Sequence, residues 1–206
     1  MTEILGIDTY RSNAELIEAL LTLGYLGTDT LTLDCTYGLG TFWKNWRPAT
    51  LLRHDINPDK APDGPMDFRD LQYPDGRFEA VVLDADYKLN GTPTPEVDAR
   101  YGADEVKTWQ QRNGDIIAGM TEAHRVLRPR GRLFVKCMDQ VSSGKVRWQT
   151  LDFANHGLGL GMELEDRLDM VSHRKQPTHN PDGSVRRQVH ARRNASTMLV
   201  FRKARK

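Results

Sequence analysis

The chain is poor in cysteine, with only Cys35 and Cys137 among 206 residues. This scarcity excludes a disulfide-stapled scaffold and is typical of a reducing compartment, so we expect two small core side chains in a cytoplasmic protein. Long apolar runs are also missing and the mean hydropathy is -0.60, which excludes a membrane-spanning helix. Residues 1–5 place no basic stretch ahead of an apolar one, so no signal peptide is expected.

Net charge is nearly absent, at +1, but it is unevenly distributed. Between Arg174 and Lys206 ten basic side chains accompany a single acid, Asp182. A segment at about 172–196 lies between two predicted strands, which makes a loop facing phosphates at least as good an interpretation as a solvated tail. Its histidines are irregularly spaced and lack cysteine partners, so no metal site is expected. The basic residues of this loop are Arg174, Lys175, Arg186, Arg187, Arg192 and Arg193.

The most informative stretch is Thr30 to Phe42, where a short apolar strand runs into a glycine turn. Gly38 and Gly40 allow main-chain N–H groups to approach a ligand closely. The next apolar run ends at Asp55, about 20 residues after Asp34, the spacing at which a carboxylate reaches a ribose hydroxyl in dinucleotide folds. A tight structural turn would give the same glycine pattern, so the spacing of the second acid favours the ligand site.

The order Asp34-x-x-x-Gly38-x-Gly40 resembles the first motif of class I S-adenosylmethionine-dependent methyltransferases. In that family an acid closes the first strand and two glycines pass beneath the methionine part of the cofactor. The segment Met66 to Leu71 resembles the family pattern Asp-Phe-x-x-Leu, whose acid accepts a hydrogen bond from the adenine amine; a capped surface turn is the alternative. The resemblance implies S-adenosyl-L-methionine as cofactor and a set of cofactor-binding residues: Asp34, Thr36, Gly38, Gly40, Asp55, Asp67 and Phe68.

A third apolar strand, residues 78–83, ends in Asp84-Ala85-Asp86-Tyr87. Nucleic-acid amino-methyltransferases of the same class usually carry Asp-Pro-Pro-Tyr there, and this chain resembles them at the first and last positions but not at the prolines. The lone pair of an exocyclic base amine is delocalised into the ring, so a carboxylate and a carbonyl that accept its two hydrogens favour attack on a methyl group. The candidate catalytic residues are therefore Asp84 and Tyr87, which could stack on an extruded base, with Asp86 as a like charge that would raise one pKa.

Helical and strand patterns alternate along the chain. We expect a helix over 12–23, one or two helices after Ala103 with an interruption near Asn113-Gly114, and a helix over 146–155. The segment 125–131 resembles the family pattern Arg-Val-Leu-Arg-Pro-Gly-Gly before the fifth strand, and Lys136 ends the strand that follows. Lys136 is a candidate contact for substrate or phosphate, with a solvated salt bridge at the rim as the other interpretation.

Together these patterns predict a single α/β domain, residues 1–206, with a basic substrate-facing insertion at about 172–196. The alternation of strands and helices favours a doubly wound fold, and the resemblance implies a Rossmann-like, seven-stranded, mostly parallel sheet with an antiparallel C-terminal hairpin and helices on both faces. The resemblance implies methylation of a base amine in a nucleic acid, DNA favoured over RNA, without metal or membrane. Two alternatives stay open: a small-molecule methyltransferase, and a non-catalytic nucleic-acid-binding module on the same fold.

Overall fold

A computed structural model describes residues 5–7, 10–87, 107–171, 179, 182–185, 187–191 and 193–205. Within these residues a six-stranded sheet and a separate two-stranded hairpin are accompanied by three α-helices. The strands are β1 (Thr32–Asp34), β2 (Leu51–Arg53), β3 (Phe78–Leu83), β4 (Leu127–Cys137), β5 (Gln140–Ser142), β6 (Lys145–Arg147), β7 (Met162–Val171) and β8 (Ala195–Lys203). The helices are α1 (Asn13–Thr22), α2 (Trp109–Val126) and α3 (Gln149–Gly159).

The large sheet has the strand order β2-β1-β3-β4-β8-β7. Its first four strands are parallel, whereas β8 runs antiparallel to both of its neighbours, β4 and β7. The predicted mixed α/β sheet, mostly parallel with an antiparallel C-terminal pair, is therefore confirmed. In such a sheet the carboxyl ends of the parallel strands meet at one edge, where ligands bind in open α/β folds.

The described part of the sheet has six strands, not the predicted seven. Beyond β2 a single parallel bridge joins Asp55 to Pro65, and no ladder follows it. Proline has no N–H to donate, so Pro65 cannot extend the pairing, and the neighbouring Pro58 and Pro62 favour turns. The segment instead contains a short 3₁₀ turn, Pro58–Lys60.

Side chains on β3 and β4 alternate between two apolar clusters, as the period of a strand requires. One cluster contains Leu83 and Val135 together with Met120 of α2 and Phe153 of α3. The other contains Val82 and Phe134 with Leu16 of α1. Both cysteines, the two that the sequence assigns to the core, are buried and free.

The helix prediction is confirmed for the first helix and is wrong in part for the other two. Helix α1 begins after Ser12, whose hydroxyl accepts from the Glu15 N–H and so caps the first turn. Helix α2 is continuous through Asn113-Gly114, so the predicted interruption there is wrong. A single glycine inside a helix costs only about 1 kcal/mol relative to alanine and does not by itself end the helix. The predicted helix over 146–155 starts only at Gln149, since residues 145–147 pair as β6 with β5. Among the described residues, no helix combines the length and apolar content needed to cross a membrane.

Candidate active site

Three carboxylates follow three adjacent parallel strands. Asp34 ends β1, Asp55 lies just after β2, and Asp84 comes directly after β3. The register pairs Asp34 with Arg53 on one side and with Val82 on the other, so the three acids lie at the same edge of the sheet. This edge is where the sequence predicts the ligand site.

The predicted glycine turn lies beside these acids. Gly38 and Gly40 have φ of +56° and +66°, values in the left-handed region that favours glycine. The Gly38 N–H donates to Asp55 Oδ2 at 2.9 Å, and Asp55 Oδ1 accepts from the Asn57 N–H at 2.9 Å. A Cβ at Gly40 would lie 2.6 Å from the Tyr37 hydroxyl oxygen, whereas one at Gly38 would find open space, its nearest neighbour being a backbone oxygen at 3.9 Å. The main chain at Gly38 is therefore open on the side to which a Cβ would project.

Asp34 is fully buried, and both of its carboxylate oxygens accept hydrogen bonds from its own chain. Its Oδ2 accepts from the Trp43 indole N–H at 2.6 Å, and its Oδ1 accepts from the Thr36 N–H at 3.0 Å. Burial raises the pKa of Asp34 to about 7, against the lowering effect of these two donors, and the charges of Asp84 and Asp55 raise it further. Asp34 therefore fixes the shape of the turn, and Trp43 is a buried partner of that acid.

The segment 84–87 is held in place by four hydrogen-bonded or charged contacts. The Asp84 N–H donates to Thr36 Oγ1 at 2.8 Å, and Asp86 forms an ion pair with Arg112 of α2. The Tyr87 carbonyl accepts from the side-chain amides of Gln140 at 2.7 Å and Gln149 at 3.2 Å. The segment is thus anchored at both of its ends and between them.

The Asp84 carboxylate differs from the other two acids because no group in the described part of the chain hydrogen-bonds to it. It is half-buried, and burial, assisted by the charge of Asp86, raises its pKa, while Lys136 opposes that rise. The predicted like-charge effect of Asp86 is confirmed in direction, although burial is the larger cause. An acceptor that the protein leaves unused at a ligand edge is available to a substrate donor.

Lys136 is buried, so the expectation of a solvated rim salt bridge is wrong. Its ammonium donates to the side-chain oxygen of Asn13 and lies 5.4 Å from the Phe42 ring centroid and 5.8 Å from that of Tyr87. Because Leu83 pairs with Val135, the residues that follow, Asp84 and Lys136, come side by side. The lysine therefore faces the candidate catalytic acid.

Asp67 and Phe68, the predicted adenine-side residues, lie after the short segment bonded to Asp55. Both Asp67 oxygens accept from Arg69, with the closest contact at 2.7 Å, and this hydrogen bonding lowers the pKa of Asp67. Phe68 packs on Gly119 of α2 so closely that a Cβ there would lie 2.4 Å from its ring. Arg69 is a partner that sequence reasoning did not assign to Asp67.

The basic loop is described only in part. Arg174, Lys175, Arg186 and Arg192 lie outside the described residues, whereas Arg187 and Arg193 lie within them. Arg187 is exposed, and Arg193 lies over the Trp148 ring at 4.4 Å from its centroid. A ring nitrogen of His190 lies 2.9 Å from the Gly144 carbonyl, which joins this segment to the β5–β6 hairpin. In the described part of the chain, no group of three or more His, Cys, Asp or Glu side chains is arranged to hold a metal ion.

The hairpin itself is the part of the site that sequence reasoning missed. Ser142 pairs with Lys145, leaving Ser143 and Gly144 as a two-residue loop with φ of +51° and +73°. Positive φ at both central positions is the feature of the tight hairpin turn. The sequence signal for this hairpin is the pair Ser143-Gly144, flanked on both sides by residues that alternate between polar and apolar. It was missed because a helix was predicted from residue 146.

Comparisons with known proteins add the identity of the fold. Neither protein-family models nor curated protein sequences give a match. Among solved structures, a candidate methyltransferase, BH2331 of Bacillus halodurans C-125, aligns with a TM-score of 0.59 at 14% identity, covering 91% of this chain and 98% of that one. An S-adenosylmethionine-dependent methyltransferase of Methanosarcina mazei aligns with a TM-score of 0.54 at 11% identity, over 89% and 97% of the two chains.

The [4+2]-cyclase SpnF is similar to the same degree, with a TM-score of 0.57 at 14% identity over 92% of this chain and 80% of that one. The chain therefore has the fold of S-adenosylmethionine-dependent methyltransferases. Because SpnF is named for a different reaction, the fold alone does not specify the chemistry. The function must be argued from the site.

Proposed function

We propose that the protein transfers the methyl group of S-adenosylmethionine to an exocyclic amine of a nucleic-acid base. The observation that carries the proposal is the carboxylate of Asp84, half-buried at the carboxyl edge and without a hydrogen-bond partner in the described part of the chain. Desolvation of an acceptor without a partner costs stability. A substrate N–H donor supplies the partner that the protein lacks.

The cofactor side of the edge fits this donor. S-adenosylmethionine supplies a methyl group on a positively charged sulfur when bound. The open main chain at Gly38 offers room for the methionine part, and Asp55, already oriented by two backbone N–H groups, keeps lone pairs for the ribose hydroxyls. Asp34 and Thr36 would hold the turn in shape. Asp67 and Phe68 would contact the adenine, with an Asp67 oxygen accepting from the adenine amine in addition to Arg69.

On the substrate side, the amine would donate one hydrogen to Asp84 and the other to the Ala85 carbonyl. As the nitrogen bonds to the methyl carbon and the carbon–sulfur bond breaks, positive charge develops on the amine and is stabilised by the carboxylate. The surplus proton then passes to Asp84, whose raised pKa suits it to accept. Tyr87 packs against the core cluster and would meet the base with the part of its ring that stays exposed.

The two missing prolines do not leave this segment loose. In place of ring constraints, Thr36 holds the Asp84 N–H, Arg112 holds Asp86, and two glutamines hold the Tyr87 carbonyl. These contacts restrict the backbone that aims the Ala85 carbonyl. They support methyl transfer over the alternative of a non-catalytic module on the same fold.

The basic insertion at about 172–196 supports a nucleic-acid substrate, with DNA favoured over RNA. Its arginines would contact phosphates while the base enters the edge of this single domain. A small amine substrate would make no use of that charge. For this reason we place nucleic acid ahead of a small molecule.

The test is incubation of the protein with labelled S-adenosylmethionine and mixed DNA and RNA, followed by nucleoside mass spectrometry. We expect a methylated adenine, cytosine or guanine carrying the label on its exocyclic nitrogen. S-adenosylhomocysteine should also raise the melting temperature, because a ligand selective for the folded state stabilises it. A melting shift without labelled nucleoside would contradict the proposed substrate, and the absence of both would contradict the cofactor as well.

A further inference from the structure

Eight arginines in the described part of the chain form ion pairs with carboxylates, whereas Arg147 and Arg193 are among those that do not and lie over tryptophan rings instead. The paired arginines are Arg53, Arg69, Arg112, Arg125, Arg128, Arg132, Arg167 and Arg202. Arg147 lies over the Trp109 ring with its Cζ 4.1 Å from the centroid, and Arg193 lies over Trp148 at 4.4 Å. We call these two arrangements the Arg–Trp stacks.

Each stacked guanidinium carries a polar atom that the protein leaves unused. The Nε atoms of Arg147 and Arg193 are buried and have no hydrogen-bond partner in the described part of the chain. Buried donors without partners are uncommon in folded proteins and cost free energy. Two such donors, on side chains that form no ion pair with a carboxylate, mark guanidinium groups whose hydrogen bonding the described part of the chain leaves incomplete.

The two stacks lie next to the candidate catalytic segment. Arg147 ends β6, Trp148 comes directly before α3, and Trp109 opens α2. The hairpin that carries Arg147 begins at Gln140, whose side chain bonds to the Tyr87 carbonyl, three residues beyond Asp84. An anion held by the stacks would therefore lie beside the path of a substrate that reaches Asp84.

The chemistry of a stacked guanidinium selects the anion. An indole face fixes the plane of the guanidinium, so that its terminal Nη groups, unlike the buried Nε, are the donors available to a ligand. That planar fork matches two oxygens of one phosphate, and stacking on an aromatic ring reduces the flexibility lost on binding. A lone carboxylate would be bound in the same way, but the neighbouring hairpin residue Lys145 and exposed Arg187 add positive charge for a polyanion.

We propose that Arg147 and Arg193 bind backbone phosphates of the nucleic acid next to the nucleotide whose base reaches Asp84. The inference rests on the proposed function, which it deepens by naming residues that hold the substrate strand. It extends the nucleic-acid-binding surface from the basic loop to the β5–β6 hairpin. Phosphate contacts of this kind position the strand and carry no base specificity.

The experiment measures the affinity for a fluorescent duplex oligonucleotide against salt concentration. We expect Arg147→Gln and Arg193→Gln each to lower the slope of log affinity against log salt by about 0.9, and the double variant by about twice that, on duplexes of unrelated sequence alike. Arg128→Gln is the matched control because this substitution removes the same charge. Arg128 is exposed and pairs with Glu79 near the opposite end of β4. Its slope should equal that of the unaltered protein.

Lysine variants separate charge from geometry. Arg147→Lys and Arg193→Lys keep the charge but lose the planar fork, so we expect the salt slope to return while affinity stays below that of the unaltered protein. If a glutamine variant loses its cooperative melting transition, the lysine variant at the same position takes its place in the affinity measurement. A double glutamine variant with the unaltered slope, or lysine variants with full affinity, would overturn the inference.

Failure of this inference is distinct from failure of the proposed function. The melting shift with S-adenosylhomocysteine and the labelled nucleoside, measured on the same variants, report cofactor binding and methyl transfer. Labelled nucleoside formed by the double variant with unchanged affinity for DNA would reject the Arg–Trp stacks alone. No labelled nucleoside from the unaltered protein would reject the proposed function itself.

Discussion

The two halves of the carboxyl edge differ in whether any of their charged groups are left without a hydrogen-bond partner. On the half formed by β1 and β2, Asp34 and Asp55 each accept two hydrogen bonds from their own chain. On the half formed by β3, β4 and the β5–β6 hairpin, the Asp84 carboxylate and the Nε atoms of Arg147 and Arg193 lack partners in the described residues. One half is complete before any ligand arrives and the other is not.

This difference separates groups that shape a site from groups that act in it. Acids that accept hydrogen bonds from their own chain hold the backbone in place. An acid without such partners raises the free energy of the unbound protein, and a substrate donor lowers it again. We therefore expect substitutions on the β1–β2 half to change stability and ligand fit, and substitutions on the β3–β4 half to change rate. The following experiments test that division.

The largest effect is expected from Asp84→Ala. It removes the acceptor for the amine hydrogen, so we expect methyl transfer to fall by about 10²–10⁴-fold, the usual range for a positioned acid or base. Initial rates of label incorporation into nucleic acid measure it. The melting shift with S-adenosylhomocysteine should persist, and a variant that retains full activity would place the chemistry elsewhere.

The next effect is on stability, through Asp34→Asn. The pKa of Asp34 is raised to about 7 by burial, so between the unfolded value and pH 7 the folded protein holds a proton that the unfolded chain has released. The stability of the unaltered protein therefore falls as pH rises through this window, by roughly 4 kcal/mol at most for this group. The asparagine variant lacks that dependence.

Urea unfolding of both proteins at pH 4, 5.5, 7 and 8.5 checks this. We expect the free energy of unfolding of Asp34→Asn, relative to the unaltered protein, to rise with pH and to level off above pH 7. The absolute difference at any one pH also contains the altered hydrogen bonds to Trp43 and Thr36, so the trend is the readout. A constant difference would show that Asp34 stays ionised throughout.

Lys136→Met tests whether the buried lysine keeps Asp84 ionised. Lys136 lowers the pKa of Asp84, so its removal raises that pKa and moves the acid limb of the pH–rate profile to higher pH. We expect the loss of rate to be larger at pH 6 than at pH 8, because the raised pKa leaves less of the carboxylate ionised at the lower pH. Lys136→Arg, which keeps the charge, is the control, and equal losses at both pH values would indicate packing alone.

Local patterns predicted the β1–β2 half well because its signals are contiguous in sequence. A strand, an acid and two glycines follow one another within residues 30–42, and strand period and positive φ are properties of short segments. Local patterns also predicted the strands β7 and β8, whereas their antiparallel pairing was implied by the family resemblance. The acid at Asp55 followed from spacing along one strand–turn–strand unit.

The β3–β4 half was harder because its contacts join distant residues. Arg147 meets Trp109 across 38 positions of sequence, and Lys136 meets Asn13 across more than a hundred. No periodicity predicts such pairs. The burial of Lys136 also contradicts the usual exposure of lysine, and only the neighbouring Asp84 and Asn13 explain it.

The smallest effect we expect separates backbone strain from ligand fit, by comparing Gly38→Ala with Gly24→Ala. Both glycines have positive φ, +56° and +74°, and an added Cβ meets no close neighbour at either position. Each alanine should therefore cost about 1 kcal/mol of stability through backbone strain. Only at Gly38 does the methyl group enter the space proposed for the cofactor, so calorimetric affinity for S-adenosylhomocysteine should fall several-fold there and stay unchanged in Gly24→Ala; equal affinities would mean that the turn faces no ligand.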